Sequence, residues 1–394
     1  MNTTHHVVHT TSSDPERVDV AVVGDGLIGL SVVLHLQRAG LRVALVGAER
    51  AGCASIAAAG MLTPSCEYDP WMPREFLHLL QAGLAYYPQF LAGGWTTASE
   101  VGFRPTDFTL LDLEERTDSI DERMKWMTEL GFDCQWYPAG EICRSEPHLS
   151  PTAFRGGIRI RDEALVNPIA LRQRLAEAVA VAGVVSRGGG LTGVADRGPA
   201  LLLESGDGRG VIADSMVIAA GAWSAEVGRL VDVDLPLCPV KGQMIRMSGP
   251  AGLVNSVVFM PAGGCGSVVE RAPGSYVAGT SEEYLSPTAD NTAGVVGAVL
   301  SRLTDVLPAA SHWRVEEIWS GFRPMTGDEL PVIGVAADSR VHVATGHHRN
   351  GVLLAPVTGR LIAAEITGAG ADIDLTPFRP TRPMRPHSRF ANKY

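Results

Sequence analysis

The feature that most constrains this chain is a glycine-rich turn near its N-terminus, Gly24-x-Gly26-x-x-Gly29. A β-branched run at residues 18–23 precedes the turn and predicts a buried strand. A predicted helix at 30–40 and a second strand at 41–46 follow. This order forms a βαβ unit with parallel strands, and the helix N-terminus offers N–H groups to a pyrophosphate. We therefore predict a dinucleotide site here; the alternative is a tight strand–helix connection without a ligand.

One part of the usual dinucleotide site is missing. An acidic residue normally ends the second strand and binds the ribose hydroxyls. Gly47 stands at that position, and Glu49 follows two residues later. The sequence leaves two readings open: Glu49 replaces the acid through a different loop path, or it is merely solvated.

Four small residues follow at positions 57–60, within the segment CASIAAAGML at 53–62. Such a stretch indicates backbone lying close against a flat ligand, although composition alone favours an ordinary alanine-rich helix start. Further motifs are VNP at 166–168, VIAAGAWS at 217–224, PVKGQ at 239–243, GFRPMTGD at 321–328 and TGHHRNGVLLAP at 345–356. Together and in this order they resemble the D-amino-acid oxidase family of FAD-dependent amine oxidases, from residue 18 to about 366.

The resemblance implies FAD as the cofactor. No second GxGxxG turn is present, as a reductase with two dinucleotide sites would often carry. Family members that bind FAD covalently use a cysteine near the C-terminal motifs, and none follows Cys265, so noncovalent FAD is expected. The residues expected at the cofactor are Gly24, Gly26, Leu27, Ile28, Gly29, Glu49, Ala54, Ser55, Ala58, Gly60, Met61, Leu191, Ala220, Gly221, Trp223, His348, Arg349, Asn350, Gly351, Val352 and Leu353.

Arg323 is the most informative candidate for substrate binding. By resemblance, its guanidinium holds the substrate carboxylate in a two-pronged contact that suits a planar fork of donors. Met61, Ser267 and Arg349 are the other expected substrate contacts. No side chain is assigned as a catalytic acid or base, with Arg349 left open. No pattern indicates a metal site.

Ser267 is a departure from the family. In our register it stands where the family has an active-site tyrosine. Either the pocket is larger, or Tyr276, Phe259 or Met260 fills the space. This keeps the substrate open between glycine and larger amines.

The predicted fold class is α/β. A Rossmann-like, three-layer FAD-binding domain is expected from residues 18–95, 151–225 and 321–375. A substrate domain with a mixed or antiparallel sheet is expected from 96–150 and 226–320. Residues 1–17 and 376–394 are predicted tails, the first disordered. A hairpin turn is predicted at 206–208, and helices near 118–131, 169–182 and 293–307.

The net charge and the cysteine content indicate which partners and which cellular compartment to expect. The 394 residues carry 33 Lys and Arg against 43 Asp and Glu, a net charge of −10, which argues against nucleic-acid or anionic-membrane partners. Six scattered cysteines without a CxxC pair are typical of a reduced, cytoplasmic protein. The polar N-terminus does not read as a secretory signal.

The expected reaction follows from the resemblance. A small amino acid, with glycine first, is oxidised to its imine by hydride transfer to flavin N5, and O2 regenerates the flavin with release of H2O2. The alternatives are an oxidase of sarcosine or a D-amino acid, and a flavin dehydrogenase with another electron acceptor. The resemblance leaves open a homo-oligomer and a biosynthetic partner that receives the imine.

Overall fold

The computed structural model describes residues 14–113, 120–260, 266–284 and 288–384. Most of the two predicted tails therefore lies outside the described residues. The first strand begins at Glu16, two residues before the predicted start of order.

The described chain contains both strands and helices. The strands are β1 Glu16–Val23, β2 Val43–Val46, β3 Met61–Leu62, β4 Arg104–Asp112, β5 Cys134–Pro138, β6 Gly156–Leu165, β7 Val185–Arg187, β8 Leu191–Asp196, β9 Leu201–Ser205, β10 Gly210–Ile218, β11 Leu237–Ser248, β12 Val257–Phe259, β13 Ser267–Ala272, β14 Ser275–Gly279, β15 Arg314–Thr326, β16 Val332–Val335 and β17 Val341–Thr345. The α-helices are α1 Leu27–Arg38, α2 Ala54–Ala57, α3 Pro64–Glu67, α4 Arg74–Leu91, α5 Ile120–Glu129, α6 Ala139–Ser145, α7 Pro168–Val181, α8 Ser224–Gly228, α9 Ala293–Val306 and α10 Gly351–Thr367.

The first sheet has the order β16-β17-β10-β1-β2-β7, with the β8–β9 hairpin attached to β10. β1 pairs in parallel with both β2 and β10, which confirms the predicted βαβ unit. The strands are apolar on both sides because each face is covered. Residues of α1, α4, α7 and α10 pack in one cluster on one face, and β9 side chains contribute to the cluster on the other. The predicted turn at 206–208 joins β9 and β10 in an antiparallel pair, as expected.

The second sheet has the order β15-β11-β14-β13-β12-β4-β6-β3, with β5 beside β6. Its pairs are antiparallel except for β12 with β4, so the predicted mixed sheet is confirmed. α9 covers one face of this sheet. β3, β6 and part of β15 come from ranges assigned in sequence to the first domain, but they join this sheet because β6 pairs with β4, β3 with β6 and β15 with β11. The division into domain ranges otherwise stays a prediction.

The three predicted helices correspond to α5, α7 and α9, and where described their ends differ from the predicted ones by at most two residues. No helix in the described part of the chain is long and apolar enough to cross a membrane.

Candidate active site

A cavity of about 1030 Å³ runs between the two sheets. One end is walled by the 24–29 turn, and we call it the glycine end. The other end is walled by Arg323 and Arg349, and we call it the guanidinium end. The volume is at the upper limit of ordinary small-molecule pockets, which suits a dinucleotide together with a small second ligand.

The glycine end is built by close backbone approach. Gly24 has a φ of +120°, and a Cβ atom placed on it would overlap the carbonyl of Ala219 at the end of β10. A Cβ on Gly29 would overlap the carbonyl oxygen of Gly24, so α1 can start this near the strand only with glycine there. At the start of α1, the N–H of Leu27 donates to Ser55 Oγ at 3.0 Å.

The small-residue segment lies along the middle of the cavity. It contains α2, a four-residue helix, and then runs extended into β3. Gly60 has a φ of +93°, and a Cβ there would overlap the carbonyl oxygen of Val166, whose N–H donates to Gly60 O at 2.9 Å. The buried Arg271 guanidinium donates to the Ala58 carbonyl at 2.6 Å. The segment is therefore fixed from behind, and its open side faces the cavity.

The structure places nearly all the sequence-predicted site residues on this cavity. Every predicted substrate contact lines it, and so do all predicted cofactor contacts except Gly29, Asn350 and Leu353. Gly29 instead packs against Gly24 beneath the turn. Asn350 and Leu353 are buried at the start of α10, behind the lining residues Gly351 and Val352.

The two arginines of the guanidinium end differ in their partners. Arg323 donates to the Ser281 carbonyl at 3.1 Å and to Thr280 Oγ1. Among the described residues, no carboxylate lies within salt-bridge distance of it. Burial lowers the pKa of Arg323, which nevertheless stays charged, since arginine holds its proton in proteins. Arg323 is therefore a partly buried cation, and some of its N–H donors have no partner among the described residues.

Arg349, in contrast, is already paired. Its Nε lies 3.0 Å from Glu67 Oε2, and its Nη1 lies 3.6 Å from Glu282 Oε1. The Glu67 charge raises the pKa of Arg349. Burial raises the pKa of Glu282, but the charges of Arg349 and Arg323 outweigh it and hold that pKa at about 2. The carboxylates of Glu67 and Glu282 thus form ion pairs with Arg349 and not with Arg323.

The PVKGQ motif at 239–243 lies on the strand next to Arg323 and helps to position it. Gly242 on β11 pairs with Gly321 on β15, and a Cβ on Gly242 would overlap the Arg323 guanidinium. The neighbouring Lys241 is buried, with Nζ 3.1 Å from Glu283 Oε2. This pair holds the chain after β14, which carries the Ser281 carbonyl that Arg323 contacts. The motif thus leaves room for the guanidinium and fixes its backbone partner.

The two histidines at the start of α10 are neutral. Burial lowers the pKa of His347 to about 3, and its Nε2 lies 3.1 Å from Thr358 Oγ1. Burial also lowers the pKa of His348. His348 Nε2 is buried on the cavity wall without a hydrogen-bond partner among the described residues, as expected of an atom whose partner is a ligand.

The pocket around Ser267 is only partly refilled. Ser267 is buried on the lining, and Phe259 and Met260 line it as well. Tyr276 does not: it stacks on Trp313 at 4.0 Å in the core behind the sheet, because its hydroxyl donates to the Pro250 carbonyl there. Two other tyrosines, Tyr68 and Tyr284, do line the cavity, and the Tyr284 hydroxyl donates to Glu282 Oε2 at 3.0 Å.

Several lining residues were not singled out from the sequence. They are Asp25, Glu67, Arg172, Glu282 and Tyr284. Only Asp25 carried a local signal, since it lies inside the glycine turn. The others reach the cavity through pairings between distant segments, which no local pattern reports.

A dinucleotide with a redox-active ring fits this cavity. The features that would bind it are the glycine end, the His348 nitrogen that lacks a partner among the described residues, and the N-terminus of α10. The fold and site therefore define a dinucleotide-dependent oxidoreductase. The family model for FAD dependent oxidoreductases matches residues 19–365. The chain therefore belongs to this family, and it is an enzyme that uses FAD.

Individual relatives of known sequence or structure agree with this family assignment. A glycine oxidase of Geobacillus kaustophilus is 31% identical over 373 residues, covering 93% of this chain and 97% of that protein. The bifunctional protein ThiO/ThiG of a Nostoc species is 30% identical, covering 95% of this chain but 58% of that protein. The crystal structure of glycine oxidase from Geobacillus kaustophilus aligns with a TM-score of 0.86 at 29% identity, covering 93% of this chain and 99% of that one. The predicted family, fold and cofactor are confirmed.

Proposed function

We propose that this enzyme oxidises a small amino acid to its imine, with glycine as the first candidate and O2 as the electron acceptor. The observation that carries the proposal is Arg323, a partly buried cation on the cavity wall with no carboxylate partner among the described residues. Leaving such a charge uncompensated is costly, so an anionic ligand is expected to complete it.

Arg323 is suited to hold the substrate carboxylate. A guanidinium has five N–H donors, and the contacts to Thr280 and Ser281 occupy three at most. At least two donors remain for a carboxylate, which accepts them as a charge-assisted pair. We assign this role to Arg323 rather than to Arg349, because Arg349 is neutralised by Glu67 and Glu282.

The remaining residues orient the substrate and exclude water. Met61, Phe259 and Met260 supply apolar lining beside Ser267, so the α-carbon would lie in a dry space. FAD held along this cavity would supply the two-electron oxidation itself, with O2 as the final acceptor and H2O2 as the second product. Alignment by Arg323 and desolvation then suffice without a dedicated acid–base pair.

We propose noncovalent attachment of FAD. Cys53 and Cys66 both line the cavity, but burial raises the pKa of Cys66 to about 11, so that thiol stays protonated and unreactive. Precipitation with acid should leave the yellow chromophore in the supernatant. Chromophore retained in the protein pellet would show a covalent link.

The test of the reaction is a substrate panel on the purified holoenzyme. Glycine, sarcosine, D-alanine and an L-amino acid are compared by O2 consumption and by peroxide release. The proposal expects peroxide in equal molar amount to the imine-derived oxo acid, with glycine among the good substrates. Turnover with an artificial electron acceptor but without peroxide would instead identify a dehydrogenase.

Ser267→Tyr tests the size of the pocket. Because Ser267 faces the cavity and only Phe259 and Met260 adjoin it from the predicted set, we expect room for substrates larger than glycine. The added ring should suppress sarcosine and D-alanine more strongly than glycine, since a pocket rejects bulk by steric clash. Ser267→Ala is the matched control and should leave the ratio nearly unchanged. Equal effects on all three substrates would show that Ser267 does not limit substrate size.

A biosynthetic partner that consumes the product is a further part of this proposal. It is supported by the Nostoc relative, in which the matching part is joined to a second part in one bifunctional protein. A separate protein that takes up the imine should lower the yield of free oxo acid per peroxide when it is added to the assay.

A further inference from the structure

The end of β2 lacks the carboxylate that usually binds the ribose of a dinucleotide. β2 ends at Val46, and Gly47 follows it on the path to the cavity. Glu49 reaches the cavity wall but is exposed, and no hydrogen bond or ion pair with another described residue fixes its carboxylate. The ribose site therefore needs another acid, or has none.

Asp25 occupies the space beside Gly47. A Cβ atom placed on Gly47 would lie 3.3 Å from both Cβ and Cγ of Asp25 and 3.5 Å from its Oδ2. The Asp25 side chain thus lies in contact with the point from which an acidic side chain at position 47 would project. Glycine at position 47 leaves this space to Asp25.

The carboxylate of Asp25 is held in place by Arg172 of α7. Arg172 Nη2 donates to Asp25 Oδ2 at 2.9 Å, and the two side chains are 30% and 33% exposed. Both line the cavity. Oδ1 of Asp25 has no partner among the described residues, so it is open to a ligand hydroxyl. Arg172 also offsets the repulsion between this carboxylate and a nearby pyrophosphate.

We infer that Asp25, oriented by Arg172, replaces the missing acid and accepts hydrogen bonds from the ribose hydroxyls of the adenosine half of FAD. Gly47 and Asp25 then form a swapped arrangement, in which the acid moves from the end of β2 into the glycine turn. Glu49 takes no part in it. The inference concerns cofactor affinity and is independent of which amino acid the enzyme oxidises.

The test measures the FAD dissociation constant from the flavin fluorescence released on dilution of the holoenzyme. Asp25→Asn keeps the shape but loses the charge, and should raise the constant about 10- to 100-fold, as expected for a hydrogen bond to a charged group. Glu49→Gln, the matched control, should change it less than about 3-fold. A large loss with Glu49→Gln, or none with Asp25→Asn, would overturn the inference.

A rescue experiment separates ribose binding from a role in folding. Asp25→Gly should weaken FAD binding, and the double variant Asp25→Gly/Gly47→Glu should restore it, because the acid returns to the end of β2. Exchange of bound FAD for an analogue lacking the adenosine 2′-hydroxyl or 3′-hydroxyl gives a second readout. The unmodified protein should prefer FAD about 10-fold over at least one analogue, and Asp25→Asn should not. An equal preference in both proteins would show that Asp25 does not contact the ribose.

Discussion

The two ends of the cavity recognise their ligands by different means. At the glycine end, the wall is mainly backbone and small side chains, and its shape depends on the absence of a Cβ atom at Gly24 and Gly29. At the guanidinium end, the wall carries long charged side chains whose positions depend on one another. A side chain added at the glycine end should therefore abolish cofactor binding completely. Substitutions at the guanidinium end should weaken substrate binding by amounts that depend on the residue introduced.

The largest expected effect is at the glycine end. Gly24→Val would place a branched side chain against the Ala219 carbonyl, at a φ that valine does not adopt. We expect loss of bound flavin, measured as the ratio of absorbance at the flavin band to protein absorbance. Gly140→Ala in α6, where nothing lies near the added atom, is the control and should retain the flavin. A yellow Gly24→Val protein would show that this end tolerates added bulk.

At the guanidinium end, Arg323→Ala should raise KM for the amino acid while the flavin spectrum is kept. Loss of the charge-assisted pair is expected to cost about 2–4 kcal/mol, or about 30- to 1000-fold. Arg323→Lys should be intermediate, because an ammonium cannot reproduce the planar fork. Steady-state kinetics measure both. Unchanged KM in the two variants would remove Arg323 from the substrate site.

A smaller effect tests whether the two ends are as different as they look. Gly242→Ala adds one atom at the guanidinium end, where the overlapping group is the mobile tip of Arg323 rather than backbone. The guanidinium should move aside, so KM should rise about 10-fold, which corresponds to about 1.4 kcal/mol, without loss of flavin. Gly297→Ala on α9 meets nothing and serves as the control. Loss of flavin in Gly242→Ala would contradict the comparison.

A last prediction concerns pH and stability rather than ligand binding. Glu163 on β6 is buried, its Oε1 accepts the Ser65 N–H at 3.3 Å, and burial raises its pKa to about 8. Since this pKa exceeds the unfolded value of 4.5, the stability it permits is full below pH 4.5 and declines as pH rises towards 8. Glu163→Gln should therefore gain in free energy of unfolding, relative to the unmodified protein, between pH 5 and pH 8. Urea unfolding at both values measures this.

Exposed Glu129→Gln on α5 is the control for that measurement and should show no such gain. If Glu163→Gln shifted stability equally at both pH values, the effect would come from packing and not from the charge of the carboxylate.

The same contrast explains what the sequence could predict. The glycine end follows from a local pattern, since strand, turn and helix are contiguous, and the βαβ unit could be predicted from the run of residue types. Arg323 could be identified only by resemblance, and its lack of a carboxylate partner depends on where Glu67 and Glu282 lie. Those two come from segments more than 200 residues apart in the chain. Tyr276 was a wrong candidate for the pocket, because the alternation of side chains along β14 does not indicate which face of the sheet meets the cavity. That depends on the pairing of β14 with distant strands.

The register of β1 against β10 has a consequence for how the protein is made. The N–H of Ala219 donates to the Val23 carbonyl at 2.8 Å, and the Ala219 carbonyl closes the turn at Gly24. A nascent chain that has emerged only through α1 and β2 has no such wall, although it already exposes the apolar β1. The ribosome must therefore deliver residue 219 before flavin can be captured, and α10 must follow to cover α1. Loading with cofactor is therefore expected only after residue 219 and α10 have been made, and a cell short of flavin should accumulate the protein without colour.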